Sequence, residues 1–276
     1  MTEQRAPTAN MVDVVVAGAA GRMGTRIIAL LHESSGLRLA GAIEAAGHPT
    51  LGQDAGEVAG VGRRGVTLTA DAAAITRDRV LVEFSAPEAT LEHLRLAAAN
   101  GARAVIGTTG FSQAQRQEIA ALATRVPIML ASNMSVGVTV ALKLLPLMAR
   151  ALGDDYDVEI SEIHHRFKKD APSGTALSMA EVVAEALGRD LAKVAVHGRQ
   201  GLPGERPRKE IGVLSLRSGD VVGEHTVSFG SLGERLELTH RAHSRDTFAR
   251  GALRAVRWIG DRPPGLYSMA DVLGLA

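Results

Sequence analysis

Hydrophobic and polar positions along the first half of the chain fall into short repeating blocks. A run of β-branched residues is followed by a longer stretch whose apolar side chains recur three and four apart. The β-branched runs predict strands over Val12 to Ala17, Leu37 to Glu44, Val80 to Ser85, Ala102 to Gly107 and Pro127 to Ala131. The amphipathic stretches between them predict helices over Arg22 to His32, Pro87 to Ala99 and Ser112 to Thr124. Such alternation with short connections specifies right-handed βαβ units on a parallel sheet. The Gly-rich stretch from Ala46 to Gly65 reads as an irregular excursion between strands.

Near Ser135 the pattern changes. A long apolar helix is predicted from Val136 to Leu152, then a strand from Val158 to Ile163, a basic loop, and a helix beginning near Thr175. Three β-rich runs follow with no helix between them, "EIGVLSLRSG", "VVGEHTVSFG" and "ERLELTHRA", which specify a largely antiparallel or mixed sheet. A charged Gly/Pro-punctuated loop, Arg199 to Glu210, precedes them, and helicity resumes over Thr247 to Gly260. The fold class is therefore α/β with two domains that cross over near Ser135.

Composition narrows the chemistry. At 276 residues the chain has room for two modest domains. Its net charge of +1 and 3% aromatic content supply neither the field nor the stacking surfaces that a nucleic-acid or anionic-membrane partner needs. The absence of cysteine removes disulfides, thiolate nucleophiles, Cys-ligated zinc and iron–sulfur clusters. The opening "MTEQRAPTANMVD" reads as a short disordered tail and not as a signal peptide. No run reaches ~18 uninterrupted apolar residues, so no membrane span is expected, and a soluble cytoplasmic protein is.

Two motifs carry candidate chemistry. "VVVAGAAGRMG" sets Gly18, Gly21 and Gly24 between a buried strand and a helix start. Glycines there permit a tight turn, close approach of a pyrophosphate and close helix–strand packing, while the helix N-terminus offers amides and a positive dipole end. The G-x-x-G-x-x-G spacing departs from the commoner G-x-G-x-x-G, and a ligand-free turn is the competing reading. Glu44, at the end of the second strand, is placed to accept hydrogen bonds from an adenosine ribose, which favours a nicotinamide cofactor. "IGTTGF" and "ASNMSVG" put further small and polar residues at the edge where such sheets bind ligands.

The second motif is "SEIHHRFKKDAPSGTAL", from Ser161. Adjacent histidines on an extended segment point apart, which disfavours a shared metal ion with Glu162 as a third ligand, so no metal site is expected. A solvated basic loop remains the plain alternative. Against it, Asp170 or Ser173 caps the next helix, Pro172 suits its first turn, and Gly174 and Thr175 present backbone amides there. Cationic side chains and a helix N-terminus thus converge as a cradle for a carboxylate or phosphate.

Taken together, "VAGAAGRMG", "EFSAPEAT", "VIGTTGFS", "ASNMSVGV", "EIHHRFKKDAPSGTAL", "GEHTVSF" and "GERLELTHRAHSRDTFARGA" resemble the dihydrodipicolinate reductase family, in the family's order and over nearly the whole chain. The resemblance implies a Rossmann dinucleotide-binding domain over residues 1–134, completed by residues 243–276. It implies a mixed α/β domain over residues 135–242 that binds substrate and builds a homotetramer, through strands between about Ile211 and Leu238. The implied reaction belongs to lysine and diaminopimelate biosynthesis: NADH or NADPH reduces a cyclic α,β-unsaturated imine derived from 4-hydroxy-tetrahydrodipicolinate.

By the same resemblance His164 is the catalytic histidine and Lys168 the proton donor, while His165, Gly174 and Thr175 contact the substrate carboxylates. Cofactor contacts fall on Gly18, Ala19, Ala20, Gly21, Arg22, Met23, Glu44, Gly107, Thr108, Thr109, Ala131, Ser132, Asn133 and Met134. Two positions depart from some members: Ala45 and Ala86 stand where an arginine is found, which weakens the case for NADPH over NADH. Phe167 and Lys169 vary the middle of the basic motif without touching its matched positions. Another two-domain NAD(P)-dependent dehydrogenase, or a nucleotide-sensing module without activity, has no use for the basic motif as it stands.

Overall fold

The computed structural model describes residues 11–276; the expected N-terminal tail falls mostly outside them. In chain order the first half contains β1 (Val12–Ala17), α1 (Arg22–Glu33), β2 (Leu37–Ile43), α2 (Ala55–Val58), β3 (Leu68–Thr69), β4 (Arg79–Glu83), α3 (Pro87–Asn100), β5 (Arg103–Ile106), α4 (Gln113–Ala123) and β6 (Pro127–Leu130). Then come α5 (Val136–Leu152), β7 (Asp157–His164), α6 (Gly174–Ala186), α7 (Leu191–Val194), β8 (Ala195–Val196), β9 (Ile211–Arg217), β10 (Gly223–Ser231) and β11 (Glu234–Ala242). The chain closes with α8 (Asp246–Ile259), β12 (Gly265–Tyr267) and α9 (Met269–Leu273). Two compact units divide it: residues 135–245 form one, and residues 11–134 with Asp246–Gly274 form the other.

The first unit is a parallel sheet in the order β3-β2-β1-β4-β5-β6-β12. Its direction of winding reverses between β1 and β4, the place where open α/β sheets bind their ligands. Val14, Val15, Val16 and Ala17 of β1 are all fully buried, as a strand covered on both faces requires. The core on one side joins Val15, Leu81, Leu94, Ile106, Ile119 and Ile128. Each such side chain contributes roughly 1.5–3 kcal/mol of transfer free energy. Local chemistry sets the helix ends: Pro87 opens α3, left-handed Gly101 closes it, and Ser112 with Gln115 forms a reciprocal cap on α4.

The irregular excursion after β2 contains the short α2, capped by Asp54, which also accepts the amides of Arg64 and Gly65. Most strands end a residue or two before the sequence pattern predicts, which leaves Glu44, Ser85, Gly107 and Ala131 just beyond their strands. The three-residue β12 adds a strand that the hydrophobic pattern does not reveal.

The second unit is a mixed sheet, β11-β10-β7-β9-β8. β7 is central, antiparallel to β10 and parallel to β9. Helices α5 and α6 cover one face, where Leu145, Ile160, Met179, Val183, Val213 and Phe229 share a core. α5 with the turn after it, Val136–Asp155, is long and apolar enough by length and composition to cross a membrane. Lys143 and Arg150 interrupt its apolar run, so it contains no ~18-residue uninterrupted apolar stretch. On its buried side Ala141, Leu145 and Ala149 belong to this unit's core, whereas Val140, Leu144 and Leu147 are exposed.

Candidate active site

In the first unit, the carboxyl ends of β1, β2, β4, β5 and β6 bring the glycine loop, Glu44, Ser85, Gly107 to Thr109 and Ala131 to Met134 to one sheet edge. Gly18 takes a left-handed φ of +69°, and a Cβ there would stand 2.5 Å from the Phe84 carbonyl oxygen. Only glycine satisfies both demands. Gly21 is the N-cap of α1 and leaves the helix start without a side-chain cap, while Arg22 opens the helix and is exposed. Ala19 is buried; Ala20 and Met23 are partly so. The Glu44 carboxylate accepts the amides of Ala20 and Ala45, both at 2.9 Å, which ties the end of β2 to the glycine loop. A nicotinamide dinucleotide fits these features: glycine-lined backbone, an uncapped helix N-terminus and a held carboxylate at the second strand.

Behind this edge lies a buried carboxylate. Glu83 is fully buried at the end of β4; it pairs with His93 Nδ1 and accepts hydrogen bonds from Ser85 Oγ (2.6 Å) and Thr90 Oγ1 (3.1 Å). Thr90 Oγ1 in turn lies 2.9 Å from Thr108 Oγ1. Burial alone would lower the His93 pKa, but the hydrogen bond and charge of Glu83 outweigh it and raise the pKa above 6.5. Thr109 and Ser132 are exposed, Ala131 and Asn133 partly buried, and Met134 fully packed, with its carbonyl against Gly251 of α8.

In the second unit, His164 is the last residue of β7 and not a loop residue as the sequence implied; it pairs with Arg217 of β9. Period-two alternation puts Glu162 on its face, and His164 Nδ1 lies 2.5 Å from Glu162 Oε2. Arg217 Nη1 donates to both Glu162 oxygens at 3.0 and 2.9 Å, and its Nη2 donates to the Asp170 carbonyl at 2.6 Å. Burial would raise the Glu162 pKa, but hydrogen bonds from His164, Arg217 and Ser215 prevail and lower it. Glu162 thus stays ionised and holds one ring nitrogen of His164, Nδ1.

Between β7 and α6 the basic loop turns back on itself. Lys168 Nζ reaches Asp170 at 2.9 Å, and this pair lowers the Asp170 pKa. Ser173, not Asp170, caps α6: its Oγ accepts the Ala176 amide, while its own amide donates to Glu162 Oε1 at 3.2 Å. Pro172 precedes the cap and lies outside the helix, a correction that follows from the cap falling on Ser173. Gly174 and Thr175 form the first two positions of α6. His165, Lys168 and Thr175 are partly buried and Gly174 is exposed. The arrangement places a carboxylate-oriented imidazole, a lysine ammonium and a helix N-terminus around one strand end, a combination suited to anion binding with proton transfer.

Three participants were not assigned from sequence. Glu162 enters the sequence reading only as a metal ligand, although its two-residue offset from His164 on a strand signals a shared face. Arg217 and His225 reach the site through strand register, for which the sequence carries no local signal. His225, opposite Glu162 in β10, lies 3.0 Å from Ser173 Oγ.

Comparison with known proteins agrees with this geometry. The family model described as dihydrodipicolinate reductase, N-terminus, matches residues 12–134, and that described as dihydrodipicolinate reductase, C-terminus, matches residues 137–273. Over 265 residues the chain is 55% identical to the 4-hydroxy-tetrahydrodipicolinate reductase of Syntrophus aciditrophicus (strain SB), covering 96% of this chain and 99% of the relative. It is 54% identical over 266 residues to the protein of the same name from Geotalea uraniireducens (strain Rf4), covering 96% and 100%. Among solved structures, a dipicolinate-bound dihydrodipicolinate reductase from Paenisporosarcina sp. TG-14 superimposes with a TM-score of 0.74 at 24% identity, covering 95% of this chain and 98% of that one, which is a likeness of fold. Matched across both of its units, the chain belongs to the dihydrodipicolinate reductase family.

Proposed function

We propose that the chain reduces the cyclic imine derived from 4-hydroxy-tetrahydrodipicolinate to tetrahydrodipicolinate, an NAD(P)H-dependent step of lysine and diaminopimelate biosynthesis. The observation that carries the site assignment is the pairing of buried Glu162 with His164, beside Lys168 and the N-terminus of α6. When bound, the reduced nicotinamide supplies a hydride. The chain's own residues supply the rest. Gly18, Ala19, Ala20, Gly21, Arg22 and Met23 receive the pyrophosphate at the start of α1, and Glu44 accepts the adenosine ribose hydroxyls. Gly107, Thr108, Thr109 and Ala131 to Met134 line the remaining cofactor surface.

His165, Gly174 and Thr175 bind the substrate carboxylates. Hydride addition to the conjugated imine leaves a carbanion equivalent that takes up one proton, which Lys168 Nζ donates. His164 Nε2, held in orientation through Nδ1, stabilises the charge that develops and assists the transfer. Dipicolinate, the planar dicarboxylate bound in the Paenisporosarcina protein, is of the class this site accepts.

Glu44 beside Ala45 favours NADH over NADPH. The chain works as a cytoplasmic homotetramer with no nucleic-acid or membrane partner; the exposed Val140, Leu144 and Leu147 of α5 and Leu216 and Leu236 of the mixed sheet support assembly. NADH oxidation followed by its absorbance with freshly generated substrate tests the activity. No consumption beyond the enzyme-free rate would refute the reading.

A further inference from the structure

Ser173 Oγ holds two partners at once. It accepts the Ala176 amide as the cap of α6 at 3.2 Å, and it lies 3.0 Å from His225 Nε2. Register carries His225 to this place: in β10 it stands opposite Glu162 of β7, and its ring meets His164 edge-on with centroids 5.1 Å apart. His225 is only 4% exposed, and its Nδ1 is enclosed without a hydrogen-bond partner among the described residues. The roles assigned above to cofactor and substrate contacts leave this residue unused.

A buried neutral imidazole has one donor and one acceptor. Burial, with the nearby His164 charge, holds the His225 pKa down to about 4, so the ring is neutral near pH 7. Of its two tautomers, one buries an unpaired N–H at Nδ1 and the other only a lone pair. Orphaned buried donors are the rarer and costlier case. The proton therefore sits on Nε2 and is donated to Ser173 Oγ, which accepts from the ring and from the Ala176 amide together.

We propose that His225 is a positioning residue for the reduction: its Nε2–H fixes the Ser173 cap and thereby sets the start of α6, Gly174 and Thr175, beside His164. The inference rests on the reading that those two residues receive the substrate carboxylates. It adds a specific lever, a neutral histidine on β10 that acts through the Ser173 cap and tunes the affinity for the dicarboxylate alone.

The test compares the full chain with His225→Phe, which keeps a ring without nitrogen, and His225→Gln, whose amide restores a donor near Nε2. Affinity for dipicolinate is read by calorimetry, and steady-state kinetics give separate KM values for imine and NADH. His225→Phe is expected to weaken dipicolinate binding and raise the imine KM by roughly 5- to 15-fold, the effect of one lost buried hydrogen bond. KM for NADH stays within about twofold, and His225→Gln recovers most of the loss. Equal dipicolinate affinity in His225→Phe and the unaltered chain overturns the inference alone, as does an equal rise in both KM values. Should His225→Phe not fold, Ser173→Ala removes the same bond from its other end, and unchanged dipicolinate affinity there overturns the inference. An unaltered chain that neither binds dipicolinate nor reduces the imine overturns the site reading, and this inference with it.

Discussion

Glu162 Oε2 and His164 Nδ1 lie 2.5 Å apart on one face of β7, in a pair whose carboxylate is wholly buried. Glu162→Gln keeps the shape but replaces the charge that orients His164 and satisfies Arg217. Loss of a hydrogen bond to a charged group is worth about 1.5–3 kcal/mol, so kcat should fall by roughly 10- to 100-fold. Cofactor binding should not change. Steady-state kinetics with a circular-dichroism control measure this, and a variant with unaltered kcat would remove the orienting role from Glu162.

Lys168 and Asp170 should separate cleanly. Lys168→Ala is expected to lower turnover by roughly 10²–10⁴-fold, the usual range for loss of a general acid. The Asp170 side chain is 64% exposed, so its pairing with Lys168 contributes little to stability, and Asp170→Asn should leave activity within about threefold of normal. Fluorescence titration should show NADH binding retained in both. Near-normal turnover in Lys168→Ala would reassign the proton donor.

Two histidines, one in each unit, should respond to acid with opposite signs. His225 has its folded pKa depressed from 6.5 to about 4, with burial as the main cause, His164, His240 and Lys168 acting in the same direction and Glu162 opposing. The unfolded chain then binds the extra proton first, so this contribution is complete above pH 6.5 and is lost as pH falls towards 4. Its size is on the order of 3 kcal/mol. His93 has a raised folded pKa; its contribution is complete below 6.5 and is lost as pH rises through the folded value. Hydrogen exchange between pH 4 and 7 is expected to show protection falling around β7 and β10 on acidification while the β4–α3 region holds. Parallel loss in both regions would contradict these assignments.

Cofactor preference follows from Glu44. Its carboxylate is fixed by two backbone amides at 2.9 Å and cannot easily turn away from a 2′-phosphate. Two unit charges ~5 Å apart at an effective dielectric of ~20 interact by about 3 kcal/mol, which solvent and salt reduce. Arg22 at the start of α1 is expected to offset part of the remainder, so we predict a residual ~1 kcal/mol and a several-fold advantage for NADH in kcat/KM. Ala45→Arg should narrow or reverse it. Kinetics with both cofactors at low and high salt decide the matter, and a clear NADPH preference in the unaltered chain would refute this account of Ala45.

Much of the first unit is legible in the chain because its signals are local. Val12 to Ala17 reads as a buried strand from composition alone, and Gly18 announces a turn that other residues cannot make. In the second unit the helix start is legible only to within a few residues, because Asp170 and Ser173 are both caps by type and only the structure selects Ser173. Register is another matter. Nothing near Arg217 or His225 states that β9 and β10 flank β7, and a shift of one residue would turn both away from His164. The segment Gly265–Tyr267 escapes notice for a related reason: three residues are too few for periodicity, and its strand exists only because β6 offers an open edge.

The closing of the first sheet by β12, and its packing by α8, has a consequence for the newborn chain. Residues 135–245 make up the second unit almost without interruption, so it is synthesised as a unit and can fold once they emerge. The first unit begins earlier yet waits longest, since α8 contributes Ala249, Ala252, Leu253 and Val256 to its interior from beyond the insertion. Until those residues leave the ribosome, the faces they cover are bare. Order of translation and order of completion are therefore reversed, and a ribosome stalled shortly after Arg245 would hold a finished second unit next to an unfinished first.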